Sequence, residues 1–176
     1  MNKLPTQHDS SKRLGLWMVM LAWVVLIAMV AVLFSRWTEK QRNPNQSLGQ
    51  VVSATGEREV VLQRNRYGHY VVTGAINKQP VTLMIDTGAS DISVPQQLAN
   101  RLGLKPGAPI SYQTANGVVT NYATLLDSVT IGSITLHKVR ASINPHVNGD
   151  DVLLGMSFLK HLEFTQKGQQ LTIRQH

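Results

Sequence analysis

From residue 59 onward the chain sets short apolar runs between closely spaced turn residues, a rhythm that predicts an all-β domain. Strands are expected over 59–64 and 69–76, joined through Asn65-Arg66-Tyr67-Gly68. Asn77-Lys78-Gln79-Pro80 then turns the chain into the apolar run Val81-Thr82-Leu83-Met84-Ile85, and 92–95 continues the sheet briefly. A short helix should follow. Pro95 lies near its first turn, Leu98 and Leu102 share a face, and Gly103 stops it. Beyond it, 110–114 and 118–123 flank Ala115-Asn116-Gly117, and Asn-Gly between two strand-like runs is a strong hairpin signal. A further pair of strands, 128–131 and 134–143, turns at Gly132-Ser133. Met156 to Leu162 has helical spacing, and 163–165 and 171–174 make a closing hairpin around Lys167-Gly168. No internal repeat is visible.

The N-terminal part follows a different pattern. Residues 14–34 hold no charged side chain across 21 positions. At about 1.5 Å per residue a helix of that length crosses a hydrocarbon core of roughly 30 Å. Trp17 and Trp37 stand near its ends, where interfacial aromatics gather. A cleaved signal peptide is the rival, but its apolar region is shorter and a small-residue cleavage site follows it. Phe34-Ser35-Arg36-Trp37 offers no such site, so an uncleaved anchor is favoured. Three basic residues stand on each side of the span, and Lys12-Arg13 directly against it tips the N-terminus towards the cytoplasm. The expected organisation is a basic tail over 1–13, a transmembrane helix over 14–34, a polar tether over 35–56 and a globular domain over 57–176.

Composition narrows the field. The formal charge is +7, which raises nucleic acid as a partner. Six of the 17 basic residues and two of the 10 acids lie before residue 50, leaving eleven against eight, or +3, for the rest. Those are scattered singly without aromatic interleaving, so no nucleic-acid partner is expected. With no cysteine, disulfides, thiolate metal sites and a thiol nucleophile are excluded.

The chemistry concentrates at Asp86-Thr87-Gly88, closing the apolar run of 81–85 and followed by Ala89-Ser90. Far downstream lies a second apolar run closed by glycine, Val152-Leu153-Leu154-Gly155. A bare Asp-Thr-Gly is also what an ordinary β-turn uses, and only this context lifts it. Hydrolysis of an amide by aspartates needs two carboxyls close enough to share one proton, because like charges so near cannot both ionise. The chain holds one such turn, so on that chemistry a second copy would have to supply the other. Elsewhere the residues are quieter. His69, His137, His146, His161 and His176 show no metal-ligand spacing, and Ser90 lacks a nucleophile elbow. Asp91 and Asp127 read as strand-end or turn residues, and Asp150-Asp151 as solvated turn residues or adjusters of specificity. No metal and no cofactor is expected.

Three segments carry a resemblance: Met84-Ile85-Asp86-Thr87-Gly88-Ala89-Ser90, the hairpin Thr114-Ala115-Asn116-Gly117, and Leu153-Leu154-Gly155-Met156-Ser157-Phe158-Leu159. Over about 59–174 the chain resembles the retropepsin-like aspartic proteases, and among them the bacterial, membrane-anchored, single-domain type. The resemblance implies a closed β-barrel domain with one or two short helices, active as a homodimer on a peptide or protein substrate. It implies Asp86 as the catalytic acid/base, with Thr87, Gly88, Ala89 and Ser90 completing the active-site loop. Thr114, Ala115, Asn116 and Gly117 would form a flap over substrate, and Leu153, Leu154 and Gly155 would pack behind the loop. The implied location is the bacterial inner membrane with the domain outside the cytoplasm. A peptide-binding module on the same fold that does not cut is the alternative.

Overall fold

The computed structural model describes residues 8–48, 51–52, 58–114 and 117–175. The chain divides into two units, 1–40 and 41–176. The first unit is the body of one α-helix, α1 (His8–Arg42), and over Arg13–Arg42 it is long and apolar enough to cross a membrane.

The helix outruns the expected span at both ends: it begins at His8, inside the expected tail, and Ser35 to Arg42 is helical where a tether was expected. Thr38 to Arg42 contains no glycine or proline and is rich in helix formers. Pro44 then bars further helix, through its missing N–H and its clash with the residue before it. The residues that follow are not loose. Asn43 and Asn45 are buried at 2% and 4% exposure. Nδ2 of Asn45 donates to the carbonyls of Gln63 and Val71 at 2.9 and 2.7 Å, and its Oδ1 accepts from the Gln63 N–H at 2.7 Å.

The second unit is β throughout, with two short helices. Its strands are β1 (Val51–Val52), β2 (Arg58–Gln63), β3 (Tyr70–Ile76), β4 (Gln79–Ile85), β5 (Ile92–Pro95), β6 (Pro109–Thr114), β7 (Gly117–Ile131), β8 (Ile134–Asn144), β9 (Asp151–Leu154), β10 (Glu163–Lys167) and β11 (Gln170–Gln175). The helices are α2 (Gln96–Arg101) and α3 (Met156–Leu159). The larger sheet runs β3-β4-β9-β5-β8-β7-β6, and β3 also pairs with β7 through Ala75↔Thr130 and Ile76↔Val129. That second pairing closes the sheet into a barrel. Gly74 makes the closure possible, since a Cβ there would lie 2.5 Å from the Thr130 carbonyl oxygen. A four-stranded sheet, β1-β2-β11-β10, is antiparallel throughout.

Alternation builds the core. In β2, Val60 and Leu62 point inward while Arg58 and Gln63 stay exposed. Val72, Ile76, Leu83, Ile92, Leu126, Val129, Val152 and Phe158 are fully buried around the barrel. The turn between β3 and β4 is tighter than expected, two residues rather than four, with Asn77 and Lys78 at φ 50° and 66°. Positive φ at both central residues suits the twist of a two-residue hairpin.

Two sequence expectations change here. The strands foreseen over 118–123 and 128–131 are one strand of 15 residues, because Leu126 inserts into the core and Thr124 to Leu126 stay in register with β8. The helix foreseen over 156–162 stops after one turn at Leu159.

Candidate active site

Asp86 stands immediately after β4, and the fold holds it from behind. β9 runs parallel to β4 in the register Ile85↔Leu154, and the Asp86 N–H donates to the Leu154 carbonyl at 3.1 Å. The loop then returns over Gly155. The N–H groups of Met156 and Ser157 donate to the carbonyls of Ala89 and Ser90 at 2.8 and 2.9 Å. Gly155 is required by packing, since a Cβ on it would sit 2.5 Å from the Ala89 carbonyl oxygen. Of the run that ends in Gly155, Leu154 is buried in the barrel and Leu153 is half-buried.

Within the turn, the Gly88 N–H donates to Oδ1 of Asp86 at 2.9 Å and the Ala89 N–H to its carbonyl at 3.3 Å. Asp86 is half-buried, whereas Thr87, Gly88 and Ser90 are exposed. The carboxyl is therefore oriented by a backbone donor and still open to a reactant.

A cavity of about 460 Å³ opens beside Asp86, between its loop and the hairpin of β6 and β7. The hairpin brings Thr114 opposite Gly117, whose φ is +110°. Ala115 and Asn116, the expected flap tip, lie outside the described residues. On the other side of Asp86 and Thr87 is an apolar cavity of about 340 Å³, walled by Tyr70, Ile85, Leu159, Phe164, Leu171 and Ile173.

Sequence reading passed over one group of side chains in the larger cavity. Asp91, read as a strand-end residue, is only 13% exposed and accepts a 2.7 Å hydrogen bond on Oδ2 from the Tyr112 hydroxyl. The Arg140 guanidinium approaches the same oxygen at 3.8 Å. Burial first, and then the bond to Asp91, push the Tyr112 phenol up from its ordinary value of 10.0. Beside it Nδ2 of the buried Asn121 donates to Oγ of Ser142 at 3.1 Å, while its Oδ1 has no partner among the described residues. Asp91 is five residues beyond Asp86, but Tyr112, Asn121 and Ser142 join the same cavity only through the sheet. No local motif announces them.

Asp150 and Asp151 instead form ion pairs with Arg101 and Arg42. Among the described residues no three His, Asp or Glu side chains are grouped to hold a metal ion.

Known proteins fit this geometry. Residues 72–161 match the family model described as "gag-polyprotein putative aspartyl protease". A solved retropepsin-like aspartic protease from Rickettsia conorii superposes with a TM-score of 0.58 at 28% identity, covering 73% of this chain and 96% of that one. An uncharacterized protein from the cobV 5′ region of a Sinorhizobium species is 34% identical over 119 residues, 66% of this chain and 51% of the relative. One from Rickettsia prowazekii is 36% identical over 111 residues, 60% of this chain and 46% of the relative. The chain spans about half the length of these curated relatives. A closed barrel, an Asp-Thr-Gly turn braced by an apolar-apolar-Gly run, and a matched segment covering more than half the sequence lead to one conclusion: this chain belongs to the retropepsin-like aspartyl protease family.

Proposed function

We propose that the protein is a membrane-anchored aspartic endopeptidase whose working form is a homodimer, each copy contributing Asp86. The observation that carries this reading is the position of Asp86: oriented by the Gly88 N–H, open to solvent, and bordering a cavity that a β-hairpin covers. Two such carboxyls across a two-fold axis share one proton. The ionised one takes a proton from water as the oxygen attacks the amide carbon. The protonated one donates to the carbonyl oxygen, and collapse of the tetrahedral intermediate sends a proton to the leaving amine.

In this reading Thr87 stands exposed beside an apolar cavity, where the second copy packs and the two loops hold each other in register. The β6/β7 hairpin closes over an extended peptide, excluding water and adding main-chain hydrogen bonds. α1 anchors the chain in the bacterial inner membrane, with the domain outside the cytoplasm. Two chains confined to one bilayer meet at raised effective concentration, so a weak dimer suffices.

The test is a full-length Asp86→Asn protein reconstituted in lipid. It should keep the parent's melting temperature and lose all cleavage of an unfolded polypeptide. Parent-like cleavage would sink the mechanism, and a folded parent that binds peptides but never cuts them would favour a non-cutting binding module.

A further inference from the structure

Behind the active-site loop lies a third cavity, of about 430 Å³, that the reaction does not use. Five basic side chains line it: His137, Lys138 and Arg140 from β8, and Lys160 and His161 just beyond α3. Three carry permanent positive charge. The acid in its wall is Asp91, whose Oδ2 already accepts from Tyr112 and faces Arg140. Among the described residues neither Lys138 nor Lys160 forms an ion pair with a carboxylate.

The two basic segments are far apart in sequence and are fastened together by one side chain. Oγ of Ser157 donates to the Arg140 carbonyl at 2.8 Å and accepts from the Ile92 N–H at 3.1 Å. The backbone adds a second mark. Lys138 sits at φ 52°, a left-handed conformation that glycine or asparagine adopts more cheaply. The β7/β8 ladder keeps one register on both sides but skips the Asp127–Lys138 pair. A lysine held at such a point, aimed among other cations, is costly for stability alone.

Ser90 and Asp91 line both this cavity and the one beside Asp86, so the two adjoin. We propose that the basic cavity is an exosite for acidic side chains of the polypeptide substrate, engaging glutamate or aspartate outside the residues that flank the scissile bond. The proposal rests on the peptidase reading of the Asp86 cavity. The shared wall with that cavity places the basic site within reach of a bound polypeptide and favours a peptide over an anionic lipid headgroup.

The experiment uses the full chain in zwitterionic micelles and paired peptides that differ only in two distal residues, Glu-Glu or Gln-Gln. The parent should cleave the acidic peptide with the higher kcat/KM. In Lys138→Glu/Lys160→Glu the acidic-to-neutral ratio should fall about tenfold, and in Lys138→Gln/Lys160→Gln by less. The parent's preference should also vanish near 1 M salt, where screening acts within about 3 Å. Binding of both peptides to Asp86→Asn, read by fluorescence anisotropy, tests the site without cleavage: a parent that cuts neither peptide defeats the peptidase reading, while this arm still decides the exosite. Equal binding of the two peptides, or a ratio unmoved by charge reversal, overturns the proposal. So does protection of Lys138 and Lys160 from acetylation by anionic nanodiscs but not by the acidic peptide.

Discussion

The Tyr112 hydroxyl donates to Oδ2 of Asp91 at 2.7 Å, tying the strand that leads to the hairpin tip to the loop that carries Asp86. A charge-assisted bond of this kind is worth about 1.5–3 kcal/mol, less where solvent reaches it. Tyr112→Phe keeps the ring and deletes the donor. It should lower kcat/KM for peptide cleavage by about 5- to 30-fold while the fold remains, as steady-state kinetics beside circular dichroism would record.

The same bond carries a pH signature. The phenol is raised above its ordinary value of 10.0, by burial first and by Asp91 second, so folding favours its protonated form. The stability it contributes is fully present below about pH 10 and is lost as pH rises through the raised value. The melting-temperature gap between parent and Tyr112→Phe should be constant from neutral to about pH 9 and close above about pH 10.

Gly155 gives a packing prediction. Its substitution by alanine forces the new Cβ against the carbonyls of Ala89 and Asp91, and backbone cannot step aside as a flexible side chain does. Overpacking of this kind costs about 1–3 kcal/mol or more. Gly155→Ala should unfold at lower denaturant, and activity should fall further than stability because the displaced loop holds Asp86.

Much of this was legible in the chain, and the remainder was hidden for physical reasons. Alternation in β2 and the turn residues around it mark strands because each strand has one buried face. Asp86 and its brace at 153–155 are visible because both are short, local and chemically distinctive. Barrel closure is not, since it depends on two residue pairs between β3 and β7 some 55 residues apart, Ala75↔Thr130 and Ile76↔Val129. Asp91 reads as a strand-end residue because its partner is 21 residues away and is reached only across the sheet. The polar composition of 35–56 suggested a tether, yet asparagine is also suited to bridging backbone groups between strands, as Asn45 does.

The Asn45 bridge makes a boundary prediction. Three hydrogen bonds, one buried and two half-buried, join Asn45 to Gln63 and Val71. Removing one partner of a buried bond leaves the other unsatisfied, at about 1–3 kcal/mol each. Asn45→Ala should destabilise the β domain by roughly 1–3 kcal/mol. A chain beginning at residue 57 should melt well below one beginning at residue 41, in thermal scans at equal concentration.

The central claim is that each active site takes one Asp86 from each of two chains, and subunit mixing tests it most directly. Parent and Asp86→Asn protein are co-reconstituted at rising ratios with the amount of parent held constant. If the site needs both aspartates, random pairing at equal amounts lowers activity per parent chain to about one half, and excess mutant lowers it towards zero. Activity that follows the amount of parent alone, whatever the excess of Asp86→Asn, would contradict the account.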